Sequence, residues 1–205
     1  TLNWANSYIF ANSPSFLERL GTLCQKEAIK PECEVFDGGM MGNIAYYMKK
    51  GFLATPIHYQ FVLGVSGGMP GNADSLAYLL PKMLPGSTWS ITGIGRDHLP
   101  CMLLGLAEGC DGLRVGLEDN LYLSKGVKGT NVQLVERAAA IADGRDNRVA
   151  RLAAGDHLQP AVDGRVPHNR RRHADHQGDD ERLPHRAGPL MVETATAGGL
   201  LVGAD

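Results

Sequence analysis

The chain has 205 residues, 43% of them hydrophobic and 20% charged, a balance that supports one sizeable core and excludes disorder over the whole length. Its net charge of -2 gives no strong overall field for nucleic acid or an anionic membrane, which leaves small molecules or other subunits as partners. No apolar run reaches the roughly 18 residues needed to cross a bilayer; Cys24, Cys33, Cys101 and Cys110 show no C-x-x-C spacing and no signal peptide precedes them, which reads as reduced thiols in a cytoplasmic protein.

Taken in chain order, residues 1–142 alternate helix-like and strand-like segments, the pattern of an α/β protein with parallel strands. Residues 15–24 place Phe16, Leu17, Leu20 and Leu23 on one helical face. A first strand is expected over residues 32–37 (ECEVFD) and a second over 58–64 (HYQFVLG). The second runs into a Gly-rich loop, VLGVSGGMPGN over residues 62–72. Its amides suit phosphate or a thioester oxygen at a helix N-terminus; a plain connector, with Asn72 or Asp74 as an N-cap, fits it as well. A helix over residues 73–84 follows, with Leu76, Leu79, Leu80 and Met83 on one face. Then come a third strand over 88–95 (TWSITGIG), a helix over 99–108, a fourth strand over 112–119 (GLRVGLED) and a helix over 131–142. Strand starts recur about every 24 to 30 residues, so four units and a leading fragment make about half of a (β/α)8 barrel, here an incomplete C-terminal portion. A half barrel leaves one strand edge unpaired and its inner face without an opposing layer, so the chain reads as a fragment. A Rossmann-type sheet is the alternative, but no G-x-G-x-x-G stands in the right place.

Residues 143–205 differ in kind. All seven Lys, all 13 aromatic residues and all four Cys, seven Ile and eight Ser fall in residues 1–142, whereas at the same rate of usage the tail would hold about 17 such residues of its own. The tail instead carries nine of the 13 Arg and five of the seven His. Either it is a disordered Arg/His-rich arm, or it is translation in the wrong frame after a frameshift near Asp143. The frameshift is the better reading, because disordered arms use Ser and Lys. His157, His168, His173 and His176 would mimic a metal-binding tract without meaning one.

In α/β folds the site lies at the C-terminal ends of the strands. The four ends offer Glu34 and Asp37, His58 and Gln60, Thr92 and Arg96, then Arg114, Glu118 and Asp119. Strict alternation puts Arg114 and Glu118 on one face and leaves Asp119 free where the strand gives way. An Arg and two carboxylates within six residues of an apolar strand are costly to bury unless they pair or bind a metal. An Arg114–Glu118 ion pair closing the barrel mouth is one reading. The other makes Glu118 a metal ligand, Arg114 a clamp for a substrate carboxylate and Asp119 a base. Glu34 is either an acid of raised pKa or a partner for Arg114. For His58 and His98 a structural role outweighs metal ligation.

The run from Arg114 to Gly126, RVGLEDNLYLSKG, followed by Thr130-Asn131 and Gln133-Leu134-Val135, resembles the β-keto acid cleavage enzymes of the 3-keto-5-aminohexanoate cleavage type. The stretches EVFD, FVLG and WSITGIGR stand in that family's order, and Thr1-Leu2-Asn3 looks like the end of the preceding barrel strand. The resemblance covers residues 1–142. It implies a (β/α)8 barrel that transfers CoA from acetyl-CoA to the acyl part of a β-keto acid, giving acetoacetate and a new acyl-CoA. It also implies zinc held by a His-x-His pair and a Glu, cytoplasmic location and a homo-oligomer, a tetramer at full length. Carried over, Glu118 is the metal ligand, Asp119 the base or water-orienting carboxylate, Arg114 and Glu34 its charge partners and Thr1 a substrate contact. The His-x-His pair belongs to an earlier strand that is not in this sequence. An inactive remnant and another metal-dependent acyl-CoA lyase of barrel fold are the competing readings.

Overall fold

In the computed structural model the described residues are 2–4, 8–153 and 191–194. The chain order is β1 (Leu2–Trp4), β2 (Tyr8–Phe10), α1 (Pro14–Lys26), β3 (Glu32–Val35), α2 (Gly38–Lys49), β4 (His58–Leu63) and α3 (Ala73–Leu79). There follow β5 (Thr88–Gly93), α4 (His98–Ala107), β6 (Gly112–Val115), the short strands β7 (Tyr122–Ser124) and β8 (Val127–Lys128), α5 (Asn131–Ala153) and β9 (Met191–Thr194).

All four expected strands form, and they lie side by side and parallel in the order β3, β4, β5, β6. Each ends earlier than the apolar pattern suggests. The first stops at Val35 because Asp37 turns to cap α2, its carboxylate accepting from the amides of Gly39 at 2.8 Å and Met40 at 3.2 Å. The fourth stops at Val115 because the Gly116 carbonyl accepts from the amides of both Asp119 and Asn120, closing a turn. Helix α3 ends at Leu79, where Pro81 permits only a 3-10 turn over Leu80–Lys82. Helix α2 lies outside the expected elements. Its three glycines mask it, yet Met41, Ile44 and Tyr47 recur at helical spacing and are buried.

Alternation then sorts the strand residues into two faces. Val35, Phe61, Leu63, Ile91, Leu113 and Val115 point to one face and form the core with Leu76 and Leu79 of α3, Met102 and Leu106 of α4, and Leu134 and Ala138 of α5. The opposite face carries Glu34, His58, Gln60, Ser90, Thr92 and Arg114, nearly all polar. One apolar and one polar face, with parallel strands under helices, is an α/β arrangement that fits part of a barrel wall.

The edge of β6 is covered. Strand β9 pairs with it in parallel, Gly112 opposite Met191 and Val115 opposite Thr194, so the open edge expected of a half barrel is occupied by a segment of the tail. Strand β1 pairs antiparallel with β2, apart from the five-stranded sheet, where the sequence suggested the end of a neighbouring barrel strand. The expected boundary at residue 142 falls inside α5. Apart from α5 and β9, the tail lies outside the described residues, and so does Thr1.

His98 begins α4 with 3% of its surface exposed; burial, and then the charge of Arg137, hold its pKa down at about 4, against a weaker pull from the Gly93 backbone. The folded pKa is lower than the unfolded value, so the stability it contributes is present above pH 6.5 and is lost as pH falls toward 4. Urea titrations between pH 7 and pH 5 should show stability falling with pH, and His98→Leu should remove most of that slope. An unchanged slope in the variant would contradict this.

Candidate functional site

The site is built where β3 and β6 end, from the three carboxylates that surround one guanidinium. Arg114 is carried on the polar face by the last turn of β6, and its side chain is 15% exposed. Its Nε donates to Asp119 Oδ2 at 3.1 Å and its Nη2 to Asp119 Oδ1 at 3.0 Å, a two-pronged grip. The same Nη2 donates to Glu118 Oε2 at 2.7 Å, and Nη1 donates to Glu34 Oε1 at 2.5 Å across the sheet. Four of the five N–H donors of the guanidinium are used on carboxylates. The two readings open for Arg114 therefore meet: it does pair with Glu118, and only one Nη1 hydrogen remains for a substrate carboxylate.

The turn after β6 sets this geometry. It brings Glu118 back beside Arg114 and buries Asp119, whose side chain is 2% exposed, while Glu34 and Glu118 are each 45% exposed. Gly95 donates to the Asp119 carbonyl at 2.8 Å and Asn131 accepts from the Leu117 amide at 2.9 Å, so the loop after β5 and the start of α5 both brace the turn. Burial pushes the Asp119 carboxyl above its usual range, restrained by the charge and hydrogen bonds of Arg114 and by the Thr92 hydroxyl, which donates to Oδ2 at 3.3 Å. Burial works against the Arg114 charge, but Asp119 and then Glu34 outweigh it and hold the guanidinium firmly protonated.

The other strand-end residues divide. His58 bridges the hydroxyls of Thr88 and Ser90, both at 2.8 Å, and burial lowers its pKa against the pull of Asp111, which makes it a neutral structural histidine. The Arg96 side chain is 95% exposed and lies 3.7 Å from the Asp97 carboxylate. Gln60 is fully buried, and neither of its amide atoms has a hydrogen-bond partner among the described residues. The Gly-rich loop closes on itself: Gly64 donates to Met69, Gly68 to Val65 and Met69 to Phe36, and Asn72 caps α3 by accepting from Ser75 at 3.0 Å. It is a folded connector. The bond from Thr92 to Asp119 was not anticipated, although alternation already sets Thr92 on the face of Ser90, two residues from it.

Three carboxylates around one arginine leave an excess of negative charge that suits a cation. The donor set is incomplete, however. Among the described residues no group of three or more His, Cys, Asp or Glu is arranged to hold a metal, and Glu118 is engaged by Arg114.

Comparison with known proteins gives this cluster its context, since the model of the beta-keto acid cleavage enzyme family matches residues 1–155. The chain belongs to that family. Its similarity extends to a 3-keto-5-aminohexanoate cleavage enzyme of Fusobacterium nucleatum, 37% identical over 143 residues, which is 69% of this chain and 52% of the relative. The enzyme of the same name from Acetoanaerobium sticklandii is 34% identical over the same shares. A 3-oxoadipate:acetyl-CoA acetyltransferase of Cupriavidus necator is 33% identical over 167 residues, 78% of this chain and 58% of the relative. The chain thus spans about half the length of the curated relatives it matches. The family match runs past residue 142 into the far part of α5.

Arg114→Met would strand the Asp119 carboxylate in a buried position, at a cost of about 3–5 kcal/mol at pH 7. Adding Asp119→Asn should restore much of that loss, since the amide carries no charge. Lowering the pH toward 5 should narrow the gap between wild type and the single variant, because Asp119 then takes up a proton. Urea denaturation measures all three; a loss below about 1 kcal/mol would show that the pair is not the anchor described.

Proposed function

We propose that the protein is an acetyl-CoA-dependent β-keto acid cleavage enzyme of (β/α)8-barrel fold, in which Asp119 is the base and Arg114 and Glu34 set its charge and position. The observation that carries this reading is the grip of Arg114 on Asp119 and Glu34 at the C-terminal ends of two parallel strands, within a chain of this family.

The reaction exchanges two acyl fragments. Asp119 takes a proton from the methylene between the keto and carboxylate groups of the β-keto acid. The resulting carbon nucleophile takes the acetyl group from acetyl-CoA and releases the CoA thiolate. The thiolate forms a thioester with the keto carbon as the bond between that carbon and the methylene breaks, and the proton returns. Acetoacetate and a new acyl-CoA are the products, with no redox change. Arg114 opposes the upward push of burial on the Asp119 carboxyl and so favours the anion that a base needs; Glu34 fixes the far side of the guanidinium.

Zinc belongs to this proposal, with Glu118 as one ligand and the remaining ligands from elsewhere in the protein; the steps above use only the chain's own side chains. Thr1 is proposed as a substrate contact on the resemblance alone. The four cysteines, none of them in a disulfide, suit a cytoplasmic setting. No helix among the described residues is long and apolar enough to cross a membrane. A homotetramer is the proposed assembly. The residues beyond the family match, 156–205, are proposed to be out of frame, a later start than the composition change at residue 143 suggests, and shifting the coding DNA by one or two bases near codon 155 should restore a family-like ending; immediate stop codons in both other frames would refute it. The relatives' names span 3-keto-5-aminohexanoate and 3-oxoadipate, so a panel of β-keto acids with cationic and anionic tails is the appropriate substrate set.

In a full-length form that carries the preceding barrel strands, incubation with that panel, acetyl-CoA and zinc should give acetoacetate and acyl-CoA in equal amounts. Asp119→Asn should retain zinc and lose about two or more orders of magnitude in turnover. Glu118→Gln should lose zinc and activity together. Absence of acetoacetate with every keto acid, or near-normal turnover in Asp119→Asn, would overturn the assignment.

A further inference from the structure

We propose that the hairpin of β7 and β8 is the docking surface for the nucleotide end of coenzyme A, with Lys125 and Lys128 meeting its phosphates and Tyr122 its adenine. The inference rests on the proposed acetyl-CoA reaction and says where the larger part of that co-substrate lies. Leu121, Tyr122, Val127 and Val132 are large apolar side chains left exposed close together in the chain. Lys125 and Lys128 stand among them and are exposed as well. No Asp or Glu occurs between Asp119 and Glu136, so this stretch carries two cations and no anion of its own. Apolar surface set beside uncompensated positive charge fits a ligand that has both an aromatic base and phosphates.

The fold ties this hairpin to the carboxylate cluster. Asn120, next to Asp119, accepts from the Tyr122 amide at 3.2 Å and donates to the Tyr122 carbonyl, and Gly129 donates to the Leu121 carbonyl at 3.0 Å. Leu123 packs against the core, and its carbonyl accepts from Arg137 Nη1 at 2.6 Å. Tyr122 stands directly opposite Lys128 in the antiparallel pair, so the ring and the ammonium stem share one face. At the tip Gly126, with φ of 79°, allows the tight turn that presents Lys125. Charge then decides which end of acetyl-CoA lies where. Three carboxylates around one guanidinium repel phosphates, so the cluster suits only the uncharged thioester end. The polyanionic end needs a cationic surface nearby, and β7 begins three residues after Asp119. A second copy of the chain fits this face less well, since a two-fold contact would set its lysines against their own copies.

The test titrates CoA and 3′-dephospho-CoA calorimetrically into the same full-length form used for turnover, and into its variants. Wild type should bind CoA several-fold more tightly than 3′-dephospho-CoA. Lys125→Gln combined with Lys128→Gln should weaken CoA binding about tenfold, through lost charge-assisted contacts, and should erase the preference for the 3′-phosphate. Tyr122→Ala should weaken both ligands about fivefold or more, whereas Tyr122→Phe, which keeps the ring, should bind as wild type. In turnover the double lysine variant should raise KM for acetyl-CoA and leave KM for the keto acid unchanged. Equal binding of the two ligands by wild type, or CoA binding unchanged in the double variant, overturns the proposal. So does a double variant whose sedimentation shows a lost oligomer at unchanged CoA affinity, which would make the hairpin a contact between copies. If CoA binds with the stated lysine and phosphate dependence but no keto acid is turned over, the proposed reaction fails and the docking surface stands. Turnover with a double variant of unaltered CoA affinity is the reverse result.

Discussion

One guanidinium holds the polar face of this molecule together. Arg114 binds carboxylates from the end of β3, from the turn after β6 and from the buried residue that follows it. A carboxylate as enclosed as Asp119 would be expensive without a cation in hydrogen-bonding contact, and Arg114 supplies two parallel bonds to it. An arginine is needed here because an ammonium cannot present four directed donors to three separate groups. The same contacts tie strands that are three positions apart in the sheet, since β4 and β5 lie between β3 and β6.

The sheet makes this convergence possible. Parallel strands end on one side, and alternation turns Glu34, Thr92 and Arg114 to one face while Phe61, Ile91 and Leu113 pack beneath the helices. The polar face extends below the cluster through Gln60, Ser90 and His58, where His58 satisfies two hydroxyls. Cys33 and Cys101, pushed by burial up to about 11 and about 12, take no part as nucleophiles near neutral pH. The cluster around Arg114 itself offers carboxylate and arginine chemistry, which is proton transfer and charge stabilisation.

Much of this was legible in the sequence, for particular reasons. The four parallel strands announce themselves as short apolar runs bounded by Gly or Pro, and Glu34, Arg114, Glu118 and Asp119 stand out as charges inside such runs. What periodicity could not show is that the strand stops at Val115. A turn brings Glu118 back to Arg114 and lays Asp119 beneath them both, where simple alternation leaves Asp119 free. Helix α2 escaped because glycines at 38, 39 and 42 hide a helical stripe. The pairing of β9 with β6 escaped because a four-residue strand far along the chain has no local period to announce its partner.

If Arg114 is the hub, Glu34 and Asp119 must be energetically coupled through it. Urea unfolding of Glu34→Gln, Asp119→Asn and the double variant measures that coupling directly. The account predicts that the double variant costs at least about 1 kcal/mol more than the two single variants together, because Arg114 is then left half-buried with Glu118 alone. Additivity within about 0.3–0.5 kcal/mol would contradict it and show three separate contacts in place of one shared centre.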